Sequence, residues 1–116
     1  MNIQIWHKAT CSTSRKALDF ITQRSDSVEI RDYIANPPSE VEIREVLKKM
    51  NATPIDILRK KEPLFKEKFA GCSLTDDEWI SVLASHPIFI ERPIVIAEDK
   101  AWLARPFDAF ADSCLL

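Results

Sequence analysis

An α/β fold on a four-stranded mixed sheet is what this sequence predicts, and three observations carry the prediction. Two short alternating runs, residues 2–6 and 28–33, flank one amphipathic segment of helical period. A strand–helix–strand order in one sheet implies parallel pairing with a right-handed crossover. Near the C-terminus two apolar runs separated by "EDK" read as an antiparallel hairpin.

The elements follow in chain order. "NIQIW" (2–6) alternates and is β-branched, so it reads as a strand, followed by a loop over 7–12. From Thr13 to about Arg24, Ala17, Leu18, Phe20 and Ile21 form one helical face. "VEIRDY" (28–33) alternates again as a second strand, and "NPPS" breaks the chain. Ser39 with Glu42 makes a capping box, opening a helix with Ile43, Val46, Leu47 and Met50 at i, i+3, i+4, i+7. Residues 52–70 read as short helices punctuated by Pro54 and Pro63. Thr75 with Glu78 is a second capping box, opening a helix that carries Trp79, Val82 and Leu83 and ends at His86, before Pro87. Residues 91–106 hold the hairpin, with strands "IVIA" and "AWLA", and "FDAFADSCLL" closes the chain as a helix. With no repeat and no linker, a single domain over 1–116 is expected. The order β-α-β, helical block, β-β-α is the thioredoxin/glutaredoxin architecture with helices inserted before the hairpin.

Composition bounds the function. Apolar residues are 46% and charged residues 29% of the 116, an ordinary globular balance. A net charge of −2 gives no global attraction to nucleic acid or to an acidic membrane surface. No apolar run approaches the ~20 residues of a membrane span. Neither nucleic acid nor membrane is therefore expected as a partner, and a monomer is expected. The three cysteines, Cys11, Cys72 and Cys114, are odd in number and far apart, with no C-x-x-C and no Cys/His cluster. No metal site and no disulfide framework is predicted, which points to a reducing cytoplasm. Gly71 is the only glycine, so a Gly-rich phosphate loop is excluded. An anion here must be held by a helix end and side chains.

The first helix differs from the two capped ones. Where they carry Glu42 and Glu78, it carries Arg15 and Lys16. A helix N-terminus offers free amides and a dipole that favours anions, so added cations suit a bound oxyanion. They suit a thiolate equally, since helix N-termini and neighbouring cations lower a cysteine pKa. Cys11 stands at the mouth of this site. Ser14 is placed to donate to its thiolate and cannot resolve it as a disulfide, and His7 is near enough to add a donor. The plain alternative is a small buried Cys11 and a solvated Arg15; the strand–loop–helix position and the cationic helix start favour the site. Cys72, in a polar loop, and Cys114, half-buried on the last helix, are expected to be bystanders. Trp6, Trp79 and Trp102 are expected in the core.

"HKATCSTSR" (7–15) resembles the active-site loop of the glutaredoxin-linked arsenate reductases, which carry C-x-T-S-R after a strand. The similarity continues through "NPPS", "ILRKKEP" and "HPIFIERPIVI", and the chain resembles the shorter branch of that family. Ser12 replaces the glycine usual after the cysteine, and Ala104 replaces a cysteine before the last arginine. The resemblance implies that Cys11 attacks arsenate within an oxyanion pocket of three arginines, which fall on Arg59, Arg92 and Arg105. It also implies a cis Arg92–Pro93 peptide facing the cysteine. Arg92 and Arg105 each precede a proline, which holds the backbone extended, and both flank the hairpin strands. Planar, permanently charged guanidinium groups suit tetrahedral oxyanions.

The expected function is reduction of arsenate to arsenite, with no bound cofactor, glutathione as co-substrate and glutaredoxin as partner. Two alternatives stand beside it. An Spx-like transcriptional regulator shares the fold, but Ser14 occupies the place of the second cysteine of its usual C-x-x-C switch. A general thiol oxidoreductase without a metalloid substrate would use the same cysteine.

Overall fold

The computed structural model describes residues 2–114. Strand β1 (Asn2–His7) leads into helix α1 (Ser12–Thr22) and strand β2 (Ser27–Asp32). Helix α2 (Glu40–Met50), a 3-10 turn (Pro54–Ile57), α3 (Pro63–Lys68), α4 (Asp76–Ser85) and a second 3-10 turn (Pro87–Phe89) form the helical block. Strands β3 (Ile94–Ile96) and β4 (Ala101–Leu103) and helix α5 (Phe107–Ser113) complete the chain. The sheet order is β2-β1-β3-β4. The β1–β2 pair is parallel, and the β1–β3 and β3–β4 pairs are antiparallel. This is the expected thioredoxin-like fold, with the helical block inserted before the hairpin.

Alternation along β1 builds the two faces. Ile3 and Ile5 point into one cluster with Ala17, Ile21, Val95 and Phe110, beneath α1 and α5. Trp6 points the other way, into a larger cluster with Ile43, Leu47, Trp79, Leu83 and Phe89 from the helical block. Trp6 and Trp79 are buried as expected, and the partly buried Trp102 packs against the first cluster. Fully burying a side chain of this kind contributes ~1.5–3 kcal/mol, so the spacing that commits α1 to one face is a major source of its stability.

Both anticipated capping boxes form. Ser39 accepts from the Glu42 amide and Thr75 from the Glu78 amide, and each glutamate reaches back to its cap amide. Arg31 on β2 pairs with Glu42, fixing the start of α2 against the sheet. His86 ends α4 as anticipated.

The boundaries differ where backbone geometry overrides pattern. Helix α1 begins at Ser12 rather than Thr13 and ends at Thr22, so Arg15 stands fourth in the helix and its first turn carries no charge. The cause is Cys11, which adopts the extended N-cap conformation and accepts the Arg15 amide at 3.0 Å. Strand β2 stops at Asp32, because the ladder with β1 runs out at the His7–Asp32 pair and Tyr33 leaves it. In α4 the buried residues are Trp79, Ile80 and Leu83, and Val82 is only half-buried. Cys114 lies at the extended C-cap of α5 rather than on the helix, half-buried against the cluster that holds Ile3, Ile21 and Phe110. The predicted helix reached residues 115 and 116, which lie outside the described residues.

Candidate active site at the start of helix α1

Topology gathers the site. Strands β1 and β2 are parallel, so their C-terminal ends lie together. Strand β3 runs against β1, which brings its N-terminal end to the same edge. The Cys11 loop, Tyr33 just past β2, and Arg92 two residues ahead of β3 therefore converge. Ligands of open α/β sheets bind outside the carboxyl ends of the strands in this way.

Cys11 caps α1 with its backbone and is half-buried. Its side chain makes no conventional cap hydrogen bond, although the Ser14 and Thr13 amides face the thiol, and the first turn has no acidic residue. The Arg105 guanidinium donates through Nη2 to Cys11 Sγ at 3.2 Å. Through Nε the same group donates to the Arg92 carbonyl oxygen at 3.0 Å. Burial pushes the Cys11 thiol up, yet the Ser14 amide, the Arg92 side chain, the charge of Arg105 and the Thr13 amide outweigh it, and the pKa is lowered. A lowered pKa raises the thiolate fraction, and the thiolate is the nucleophile.

Below the thiol, Ser14 is wholly buried. Its Oγ shares a 2.6 Å hydrogen bond with His7 Nδ1 and accepts the Lys8 amide at 3.1 Å. The hydroxyl is thus committed to the β1–α1 loop, and Ser14 acts on Cys11 through its amide. The group of Ser14 that serves the thiol is therefore its amide, and the hydroxyl braces the loop. His7 is buried, and burial lowers its pKa against the opposing charge of Asp32. It braces Ser14. Arg15 also departs from expectation: its Nη1 folds back onto the Ala9 carbonyl oxygen at 2.9 Å. That tie spans the loop ahead of Cys11 and links it to the first turns of α1.

Of the three anticipated arginines, Arg92 and Arg105 reach Cys11. Arg59 lies alongside, and its Nη1 pairs with Glu62 Oε2 at 3.3 Å. Arg59 and Arg105 line one groove of about 440 Å³, together with Leu58, Lys60, Lys61, Glu91 and Pro106. Arg92–Pro93 is cis as expected; Arg105–Pro106 is cis as well, which the sequence did not indicate.

Sequence reasoning missed Glu62 and Tyr33. Glu62 could have been found from its i,i+3 spacing to Arg59. Tyr33 could have been found as a polar-tipped aromatic at the carboxyl end of a parallel strand. It is fully buried, and burial raises its pKa against the charges of Arg92 and Arg59. Its hydroxyl and Arg92 Nε are buried with no hydrogen-bond partner among the described residues. Leaving a buried donor or acceptor unpaired costs ~1–3 kcal/mol.

Among the described residues, no group of three or more His, Cys, Asp or Glu side chains is placed to hold a metal ion. No helix there is long and apolar enough to cross a membrane. The arrangement suits nucleophilic attack on an electrophile bearing negative oxygens, because the thiol stands among two guanidinium groups and the amides of a helix start.

Comparison with known proteins gives the family and the fold. The ArsC family model matches residues 6–112. An arsenate reductase of Escherichia coli is 36% identical over 96% of this chain and 79% of its own length. An arsenate reductase of Neisseria meningitidis serogroup A is 34% identical over 91% of this chain and 92% of its own. The solved structure of an arsenate reductase from Vibrio cholerae superposes with a TM-score of 0.88 at 31% identity, covering 97% of both chains.

Proposed function

The chain belongs to the ArsC family, and from that premise we propose that it reduces arsenate to arsenite through the thiolate of Cys11. The single observation that carries this reading is the Arg105 Nη2 to Cys11 Sγ contact of 3.2 Å, a permanent cation held on the nucleophile. The proposed pocket is made of the first-turn amides of α1, Arg92 and Arg105, with Arg59 closing it from the groove side. These donors neutralise the oxyanion and bring its central atom to the sulfur, which would otherwise repel it.

The chemistry balances as follows. The Cys11 thiolate bonds to As(V) and one arsenate oxygen leaves as water, taking up protons. Glutathione supplies a second thiol at the adduct. The two sulfurs become a disulfide as As(V) takes two electrons and leaves as arsenite. Glutaredoxin then accepts the glutathione from the Cys11 mixed disulfide and returns the free thiol. Each turnover thus consumes two thiol equivalents and releases one water.

The test is arsenate-dependent oxidation of glutathione with glutaredoxin present, comparing wild type with Cys11→Ser. Turnover that vanishes in Cys11→Ser is expected. A wild type inactive with arsenate under full reductant supply, yet able to reduce mixed disulfides, would move the protein to the general thiol oxidoreductases.

A further inference from the structure

The Tyr33 hydroxyl and Arg92 Nε, both buried and unpartnered, are complementary. Nε–H can only donate, and a phenol oxygen can accept. They also occupy one place. Tyr33 is the first residue past the end of the β1–β2 ladder, level with the start of the Cys11 loop. Arg92 stands ahead of β3 at the same edge of the sheet. The Arg92 guanidinium acts directly on the phenol, and the charges of Arg59 and Cys11 reach it as well.

Resting on the oxyanion-pocket reading above, we infer that Tyr33 is a positioning residue for Arg92. Its hydroxyl accepts the Arg92 Nε–H when the guanidinium turns its Nη fork onto an oxyanion at Cys11, so each group becomes the other's partner. Tyr33 is sealed from solvent and therefore acts through Arg92 rather than on the ligand.

The choice of side chain supports this role. A carboxylate would orient Arg92 more strongly but cancel the charge the pocket needs, as Glu62 does in part for Arg59. A phenol orients without cancelling, provided it stays neutral. Burial is the largest influence on Tyr33 and holds its proton on.

The test is a double-mutant cycle on Tyr33→Phe and Arg92→Ala, read by calorimetric titration with arsenate, by steady-state kinetics and by melting without ligand. Tyr33→Phe is expected to weaken arsenate binding about tenfold, the scale of one hydrogen bond to a charged group. It should melt close to wild type, since the hydroxyl meets no well-formed hydrogen bond among the described residues. The pH midpoint of Cys11 alkylation should not move, because the phenol is uncharged. In the Arg92→Ala background, Tyr33→Phe should change binding no further. Unchanged arsenate affinity in Tyr33→Phe, a loss that persists without Arg92, or failure of Tyr33→Phe to fold would each overturn the inference. A wild type that binds arsenate without reducing it would sink the reductase reading alone. A wild type that does not bind arsenate would sink both.

Discussion

Arg105 and Cys11 lie 94 residues apart in sequence and 3.2 Å apart in space. One guanidinium grips Cys11 Sγ with Nη2 and the Arg92 carbonyl with Nε. A planar fork can hold both at once, and a lysine ammonium cannot reproduce that geometry. Arg105 thereby ties the nucleophile to the segment carrying the second pocket arginine, and the hairpin bond from the Ala104 amide to the Pro93 carbonyl keeps that tie in register.

Cys11 should be the reactive thiol. A free thiol titrates near ~8.5, and the surroundings of Cys11 lower its pKa. Alkylation rate against pH, with Cys11→Ser as the blank, should give a midpoint clearly below that value. A midpoint at the free-thiol value would end the electrostatic account.

Arg105→Ala should raise the alkylation midpoint and lower arsenate turnover by ~10²–10³, the usual cost of one preorganised donor. Its melting temperature should barely change, since Arg105 is exposed. Arg105→Lys should restore part of the midpoint shift but little turnover. Equal recovery of both would mean that charge alone matters and the fork does not.

Ser14→Ala separates structure from chemistry. It strands the Lys8 amide and His7 Nδ1, so urea titration should show a loss of ~1–3 kcal/mol. The backbone amide that acts on Cys11 survives, so the thiol midpoint should stay low. A raised midpoint without loss of stability would restore the hydroxyl as the thiolate's donor.

Glu42 should contribute to the acid limb of stability. Arg31, and then the Ser39 amide, hold its carboxyl at about 2 in the folded protein. The unfolded value is ~4.3. The folded pKa is depressed, so the contribution is complete above the unfolded value and fades as pH falls toward about 2. The stability gap between wild type and Glu42→Gln should be widest near neutral pH and close across that window. Its size is limited by solvent screening, because the Glu42 side chain is 42% exposed. A gap independent of pH would show that the capping geometry, rather than the charge, is what Glu42 supplies.

Much of this was legible in the chain. Alternation in β1, the spacing of Ile43, Val46 and Leu47, and the two capping boxes are local signals, and local signals survive folding because the same residues supply both the pattern and the bonds. The position of Cys11 between a strand and an uncapped helix was equally visible. The selection of Arg59, Arg92 and Arg105 from among the chain's arginines was not local; it came from resemblance to a family.

The sequence by itself determined the elements, their order, the two faces of the sheet and the cysteine at the start of α1, because hydrophobic period and helix capping act over a few residues. Only the tertiary structure decided who touches whom at the site. It sent the Ser14 hydroxyl to His7, folded Arg15 onto Ala9, gave Arg59 to Glu62 and set the Tyr33 hydroxyl beside Arg92, whose Nε is buried without a partner among the described residues. Each of those outcomes is a competition among polar groups for a limited set of partners. Which partner wins depends on the distance between segments far apart in the chain, and that distance is set by the sheet register.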